Sequence, residues 1–261
     1  MAAFELSKWY ADCATEEGDA AILYCAELRS RRLAIPYASL LTHRRGRPSR
    51  ALYSLRKQPL YLGDTEIRWE SRVWSAAGCW HAAAGAIREV LFDSPAGTLE
   101  WHCLAPRAAA EIRLEGGELF RGWGYVEHLR LTVPPWRLPI TRLIWGRFIS
   151  AADTLIWIDW QGSYNRRLVL ENGQHVNAQS ISSREVVLGG GETVLSLEAG
   201  EVLREGALGG TALSAIPRVE RLFPASMLGV RERKWLSRAV LRRCGDPEST
   251  GMAIHEVVEW P

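Results

Sequence analysis

The residues best placed to do chemistry lie in one stretch, Trp123-Gly124-Tyr125-Val126-Glu127-His128-Leu129-Arg130-Leu131. Read as a β-strand, whose side chains alternate between two faces, it puts Trp123, Tyr125, Glu127, Leu129 and Leu131 on one side. Gly124, Val126, His128 and Arg130 take the other. The first set is the more apolar, so Glu127 is expected to point inward beside Tyr125. A carboxyl group among aromatic rings has its charged form disfavoured, which suits a general acid that protonates an alkene or polarises a carbonyl. The same residue admits a second reading, a buried glutamate bridged to Arg147 or Arg142 that holds two domains in register.

A second acid is Asp159. Leu155, Trp157 and Asp159 share one face of a strand, and Ile156, Ile158 and Trp160 the other. Both faces are apolar, so alternation does not decide which is inside. Asp159 is either an acid flanked by indoles or the start of a turn into Gln161-Gly162-Ser163, where a short acid accepts backbone N–H bonds. Trp145 and Arg147 share a face of residues 143–149, which allows a guanidinium to lie over an indole. With Trp123, Trp157, Trp69 and Trp101 they form the candidate lining of an apolar pocket.

Other chemistries find less support. His81, His102, His128, His175 and His255 show no HxH or HExxH spacing, so no metal site is expected. His128 falls on the outward face by alternation, and His102 follows Trp101, so neither reads as a base. Ser39 and Ser226 lack a Gly-x-Ser-x-Gly elbow. The glycine clusters precede no helix and do not read as nucleotide loops. Cys13, Cys25, Cys79, Cys103 and Cys244 are odd in number and form no CxxC pair, as expected of reduced thiols in a cytoplasmic protein.

The elements that must position these residues are strands. Short alternating runs separated by turns dominate, and no stretch keeps a 3.6-residue apolar period over three turns. In residues 67–73, Ile67, Trp69, Ser71 and Val73 alternate with Arg68, Glu70 and Arg72. Hairpins are expected over residues 15–19, over the basic tip 43–48, over 93–97, at Asn172-Gly173 and at the triple glycine 189–191. Residues 231–243 are assigned to strand. Every connection is a hairpin, so the chain is expected to be all-β, antiparallel and closed into barrels, which removes sheet edges. A change of texture after Gly116-Gly117 divides it into residues 1–118 and 119–261.

Twelve tryptophans, seven tyrosines and five phenylalanines suit a lined cavity, although β-rich proteins also use aromatics as ordinary strand residues. A net charge of +2 lacks the basic excess of a dedicated nucleic-acid binder. No uncharged apolar run approaches the ~20 residues of a membrane span, and the first residues show no secretory signal.

The segments FELSKWYADC, PYASLL, EWHCLAPRA, GWGYVEHL, WGRF, WIDW and AIHEVVEW resemble the lipocalin-like superfamily of carotenoid hydratases (hydroxyneurosporene synthases), which includes decalin-forming Diels–Alder cyclases. The resemblance implies two lipocalin-like barrels in tandem. It also implies a cofactor-independent hydratase, cyclase or isomerase acting on a hydrophobic polyene, terpenoid or polyketide-like molecule. The sequence departs from the hydratase pattern after Gly124-Tyr125, where Val126-Glu127-His128 stands. A non-catalytic carrier using the same pocket is the alternative, and an interaction module whose aromatics merely fill two small barrels is a third reading.

Overall fold

The computed structural model describes residues 4–30, 33–218 and 221–261. Its first sheet comprises β1 (Phe4–Ala14), β2 (Ala20–Ser30), β3 (Leu33–His43), β4 (Arg50–Ser54), β5 (Leu60–Leu62), β6 (Glu66–Ser71), β7 (Ala76–Ala82), β8 (Ile87–Ser94), β9 (Gly97–Arg113) and β10 (Leu119–Leu131). The second comprises β11 (Ile140–Ser150), β12 (Thr154–Gly162), β13 (Arg166–Glu171), β14 (Gln174–His175), β15 (Ala178–Ile181), β16 (Glu185–Leu188), β17 (Thr193–Leu197), β18 (Glu201–Ala207), β19 (Arg231–Arg243) and β20 (Ser249–Glu259). All the pairings are antiparallel. No helix among the described residues is long and apolar enough to cross a membrane.

Each sheet is ten-stranded, and each follows one plan. The first runs β4-β3-β2-β1-β10-β9-β7-β6-β5, with β8 on β9; the second runs β14-β13-β12-β11-β20-β19-β17-β16-β15, with β18 on β19. The two ends of each path are consecutive in sequence, and that forces curvature. Laid flat, nine strands at about 4.8 Å spacing would separate the ends by about 38 Å. The six peptide units from Ser54 to Leu60 reach at most ~22 Å, and the three from His175 to Ala178 ~11 Å. Both sheets are therefore rolled, as expected of lipocalin-like barrels.

Local chemistry explains the elements. β6 follows its alternation closely, with Ile67, Trp69 and Ser71 buried and Arg68 and Glu70 exposed. Asn172 and Gly173 both take positive φ, 49° and 81°, the two-residue turn that matches strand twist between β13 and β14. Arg231–Arg243 is a strand, with β20 hydrogen-bonded beside it.

Leaving aside two hairpin tips, the chain forms two compact units, divided between Leu138 and Pro139. The break expected at Glu118/Leu119 is instead a hairpin tip. Gly116 and Gly117, both at positive φ, turn β9 directly into β10, which pairs with β9 and β1. The glycines that read as a linker are what a tight turn requires. The first unit's core gathers Leu23, Leu40, Trp69, Trp80, Ile112, Phe120 and Val126. That of the second gathers Phe148, Leu155, Trp157, Leu195 and Leu241.

Candidate active site

Tyr125 and Glu127 do not point into the first barrel. Val126 belongs to the apolar core, so its strand neighbours face outward. Alternation alone gives the opposite face because the inward side of β10 next to Tyr125 is built from the small residues Gly122, Gly124 and Val126. The Trp80 indole lies against Gly124 and donates its Nε1–H to the Asp12 carbonyl at 2.6 Å. A Cβ on Gly124 would stand 2.9 Å from Trp80 Cδ1 and 2.6 Å from the Ala110 Cβ. The apolar bulk on this face comes from Trp80, a residue of β7. His128, expected outside, faces inward, stacked on Trp9 at 4.3 Å between ring centroids and bonded to the Ser7 hydroxyl at 2.7 Å.

The outward face is nonetheless buried, and it concentrates acids and hydroxyls. Tyr125 donates its hydroxyl to Glu127 Oε2 at 2.6 Å, and the Trp101 Nε1–H donates to the same oxygen at 2.6 Å. On β1, Tyr10 donates to Asp12 Oδ2 at 2.9 Å. The register sets Tyr10 opposite Glu127 and Asp12 opposite Tyr125, so two Tyr-x-acid pairs run antiparallel across one another. The Tyr10 ring meets those of Tyr24 and Tyr125 edge-on at 5.2 and 5.9 Å. Cys103 lies opposite Glu127 on β9. Glu127 is 4 % exposed, and Asp12 and Tyr125 are fully enclosed.

Burial holds the protons on this layer. It pushes the Tyr125 hydroxyl well above its ordinary value, with Cys103 and Glu127 adding to the rise. It does the same to the Cys103 thiol, where Glu127 and Asp12 contribute. Tyr125 is thus a neutral donor fixed on the Glu127 carboxyl group, an arrangement that can pass a proton to or from a third group.

The other expected residues scatter. Trp69 is in the first core and Trp157 in the second, each with an Nε1–H that finds no partner among the described residues. Trp123 shares the outward face of β10 and carries the Arg107 guanidinium 5.5 Å from its ring. Leu155 and Trp157 face inward, and Asp159, two residues on, accepts Arg167 Nε at 3.0 Å and Gln161 Nε2 at 2.8 Å. It sits within β12, not at a turn. Trp145 and Arg147 are on the outward face of β11; the Lys234 Nζ stands 5.2 Å from the Trp145 ring, and Arg147 donates to the Met252 carbonyl at 3.0 Å. The cation over Trp145 is thus Lys234. Of the expected set, the structure brings together Tyr125, Glu127 and Trp101. Tyr10 and Asp12 were missed, though Tyr10-Ala11-Asp12 has the spacing of Tyr125-Val126-Glu127.

A half-open cavity of about 270 Å³ in the first unit is lined by Ser7, Trp9, Cys25, Gln58 and Leu60 together with the charged Glu5, Glu27, Arg29 and Lys57. The Gln58 amide is 5 % exposed and neither of its polar atoms finds a partner among the described residues.

No protein-family model and no curated protein sequence matches the chain. Solved structures do. CghA crystallised with Sch210972 superposes with a TM-score of 0.59 at 11% identity, covering 98% of this chain and 88% of that one. Kievitone hydratase from Nectria haematococca gives 0.57 at 10% identity, covering 97% and 88%. What is shared is the fold. It extends over nearly the whole of this chain, both rolled sheets included.

Proposed function

We propose that the chain is a hydratase, cyclase or isomerase for a hydrophobic polyene, terpenoid or polyketide-like molecule, working by proton transfer from its own side chains. The observation that carries this reading is the Tyr125 hydroxyl and the Trp101 N–H converging on one oxygen of buried Glu127. Glu127 gives or takes the proton, and the two donors on Oε2 hold its carboxyl group in place. Tyr10 and Asp12 supply a second hydroxyl–carboxylate pair across the strand. Asp159, held by Arg167, serves structure. A hydratase among the proteins of the same fold, and another crystallised with a small molecule, support the class of reaction.

The test is turnover of a panel of conjugated polyenes, terpenoids and polyketide-type enones in H₂¹⁸O and in D₂O. Isotope uptake, or a new ring, identifies the reaction. Glu127→Gln keeps the size and the bonds from Tyr125 and Trp101, and should lower turnover by roughly 10²-fold or more. Equal activity in both proteins would remove Glu127 from the mechanism. A carrier role has one observation in its favour, the cavity beside Trp9 with its unpartnered Gln58 amide. Tryptophan quenching by an apolar ligand that survives Glu127→Gln but is lost in Trp9→Ala, with no product formed, would favour it.

A further inference from the structure

The outward face of β6 and β7 carries side chains that the proposed reaction does not use. Glu66, Cys79 and His81 present an oxygen, a sulfur and a nitrogen that all lie within 4.8 Å of one another. We propose that these three residues bind a divalent cation of the zinc class.

Strand geometry assembles them. Cys79 and His81 are two apart on β7 and so share a face, and the register places Glu66 directly opposite His81. Ile67, Trp69, Ala76 and Trp80 occupy the inward face, which fixes the three donors outward. Cys79 Sγ lies 2.9 Å from Glu66 Oε1 and 3.4 Å from His81 Nε2, and the last two atoms are 3.8 Å apart. A tetrahedral zinc, with bonds of about 2.3 Å to sulfur and about 2.0–2.1 Å to nitrogen and oxygen, separates its donors by about 3.3–3.6 Å. The observed triangle brackets that range. Motif spacing passes over the cluster because the third donor comes from another strand.

The surroundings suit a bound cation. Arg68 holds the other glutamate oxygen, Oε2, at 2.6 Å and so orients Oε1 toward the sulfur. Across the sheet, Glu111 faces Cys79 and is bound by Arg113 and Arg121. His81 also borders a groove of about 390 Å³ floored by Ala109 and flanked by Arg121 and Trp123. A fourth coordination position can therefore be filled from solvent or along that groove. A thiolate, an imidazole and a carboxylate together select zinc or cobalt over magnesium or calcium. As the metal–sulfur bond forms, the thiol proton passes to solvent.

The experiment is a titration of the full chain with Co²⁺ under reducing, oxygen-free conditions. One equivalent should produce a near-ultraviolet sulfur-to-cobalt charge-transfer band and the visible bands of four-coordinate cobalt, and Zn²⁺ should abolish both. Cys79→Ser should eliminate the charge-transfer band. His81→Ala and Glu66→Gln should each weaken binding by about tenfold or more. Cys244→Ser, which removes the exposed thiol, should change nothing. A wild-type protein without the band, a band that persists in Cys79→Ser or vanishes in Cys244→Ser, or an affinity indifferent to His81→Ala would overturn the proposal.

Discussion

The two units have matching interiors and unlike outward faces. Each sets a histidine on the inward side of its last strand, stacked on a tryptophan and bonded to a serine. His128 has Trp9 and Ser7; His255 has Trp235, at 5.1 Å between centroids, and Ser237, at 2.9 Å. The tryptophan and serine come from β1 in one unit and from β19 in the other, strands that flank the histidine strand on opposite sides. Burial pushes both imidazoles down to about 4, so both are neutral at pH 7. The outward faces differ in kind. The first unit buries tyrosine hydroxyls on carboxyl groups, Tyr125 on Glu127 and Tyr10 on Asp12. The second buries ion pairs, Lys234 with Glu256 and Arg204 with Glu232. What is repeated serves to hold a barrel together. What differs is the chemistry of the buried outward faces, hydroxyl–carboxyl pairs in the first unit and ion pairs in the second.

Four measurements test this contrast. The largest effect belongs to the second unit. Glu256→Gln leaves the Lys234 ammonium, 1 % exposed, without its ionic partner, and should cost about 3–5 kcal/mol in urea unfolding. A cost below 1 kcal/mol would mean that the pair is not the buried structural element described.

Next comes the histidine. A base whose folded value lies below its unfolded one binds fewer protons in the native state, so stability is complete above about pH 6.5 and is lost as pH falls toward 4. For His255 the loss approaches about 3 kcal/mol; His128, whose edge meets solvent, loses less. Unfolding curves at pH 7 and pH 5 should show this, and His255→Gln should flatten the dependence. An unaltered slope in that variant would exclude His255 as its source.

The glycines under the two large indoles come third. A Cβ on Gly146 would lie 2.5 Å from Trp157 Cε2 and 2.8 Å from the His255 Cβ, much as one on Gly124 meets Trp80. Gly146→Ala and Gly124→Ala should each destabilise by about 1–3 kcal/mol, the usual range for an overpacked core. If one is neutral, the interiors are not equivalent. The smallest effect should be that of Asp12→Asn, about tenfold in turnover, because Asp12 is proposed to support Glu127, not to replace it. A fall as large as that of Glu127→Gln would make Asp12 the principal acid.

The strands were legible because their signals are local. Asn172-Gly173, the triple glycine and the alternation of residues 66–71 each carry their own geometry. Faces were legible only where one side was plainly polar, as in β6. Beside Tyr125 the inward side of β10 is glycine and valine because a tryptophan more than forty residues earlier covers it, and no reading of that strand alone contains Trp80. The acid–hydroxyl layer is half visible: Tyr125, Glu127 and Trp101 stand among the candidates, but the crossing pair on β1 depends on a register that joins residues over a hundred positions apart. The division at Leu138 was hidden for the same reason, since the first strand and the tenth are neighbours.

That neighbour relation has a cost in time. Ser7 pairs with Arg130, so β1 has no partner on that side until 123 further residues have been made. At about 5–20 residues per second of synthesis the wait is about 6–25 s. Through it the row of backbone groups along β1, with Tyr10 and Asp12 beside it, is an open template for any other strand. The second unit repeats the delay, because Arg142 pairs with Glu259. Two such waits in one chain make yield during synthesis, more than stability once folded, the quantity that mutations in β1 and β11 should disturb first.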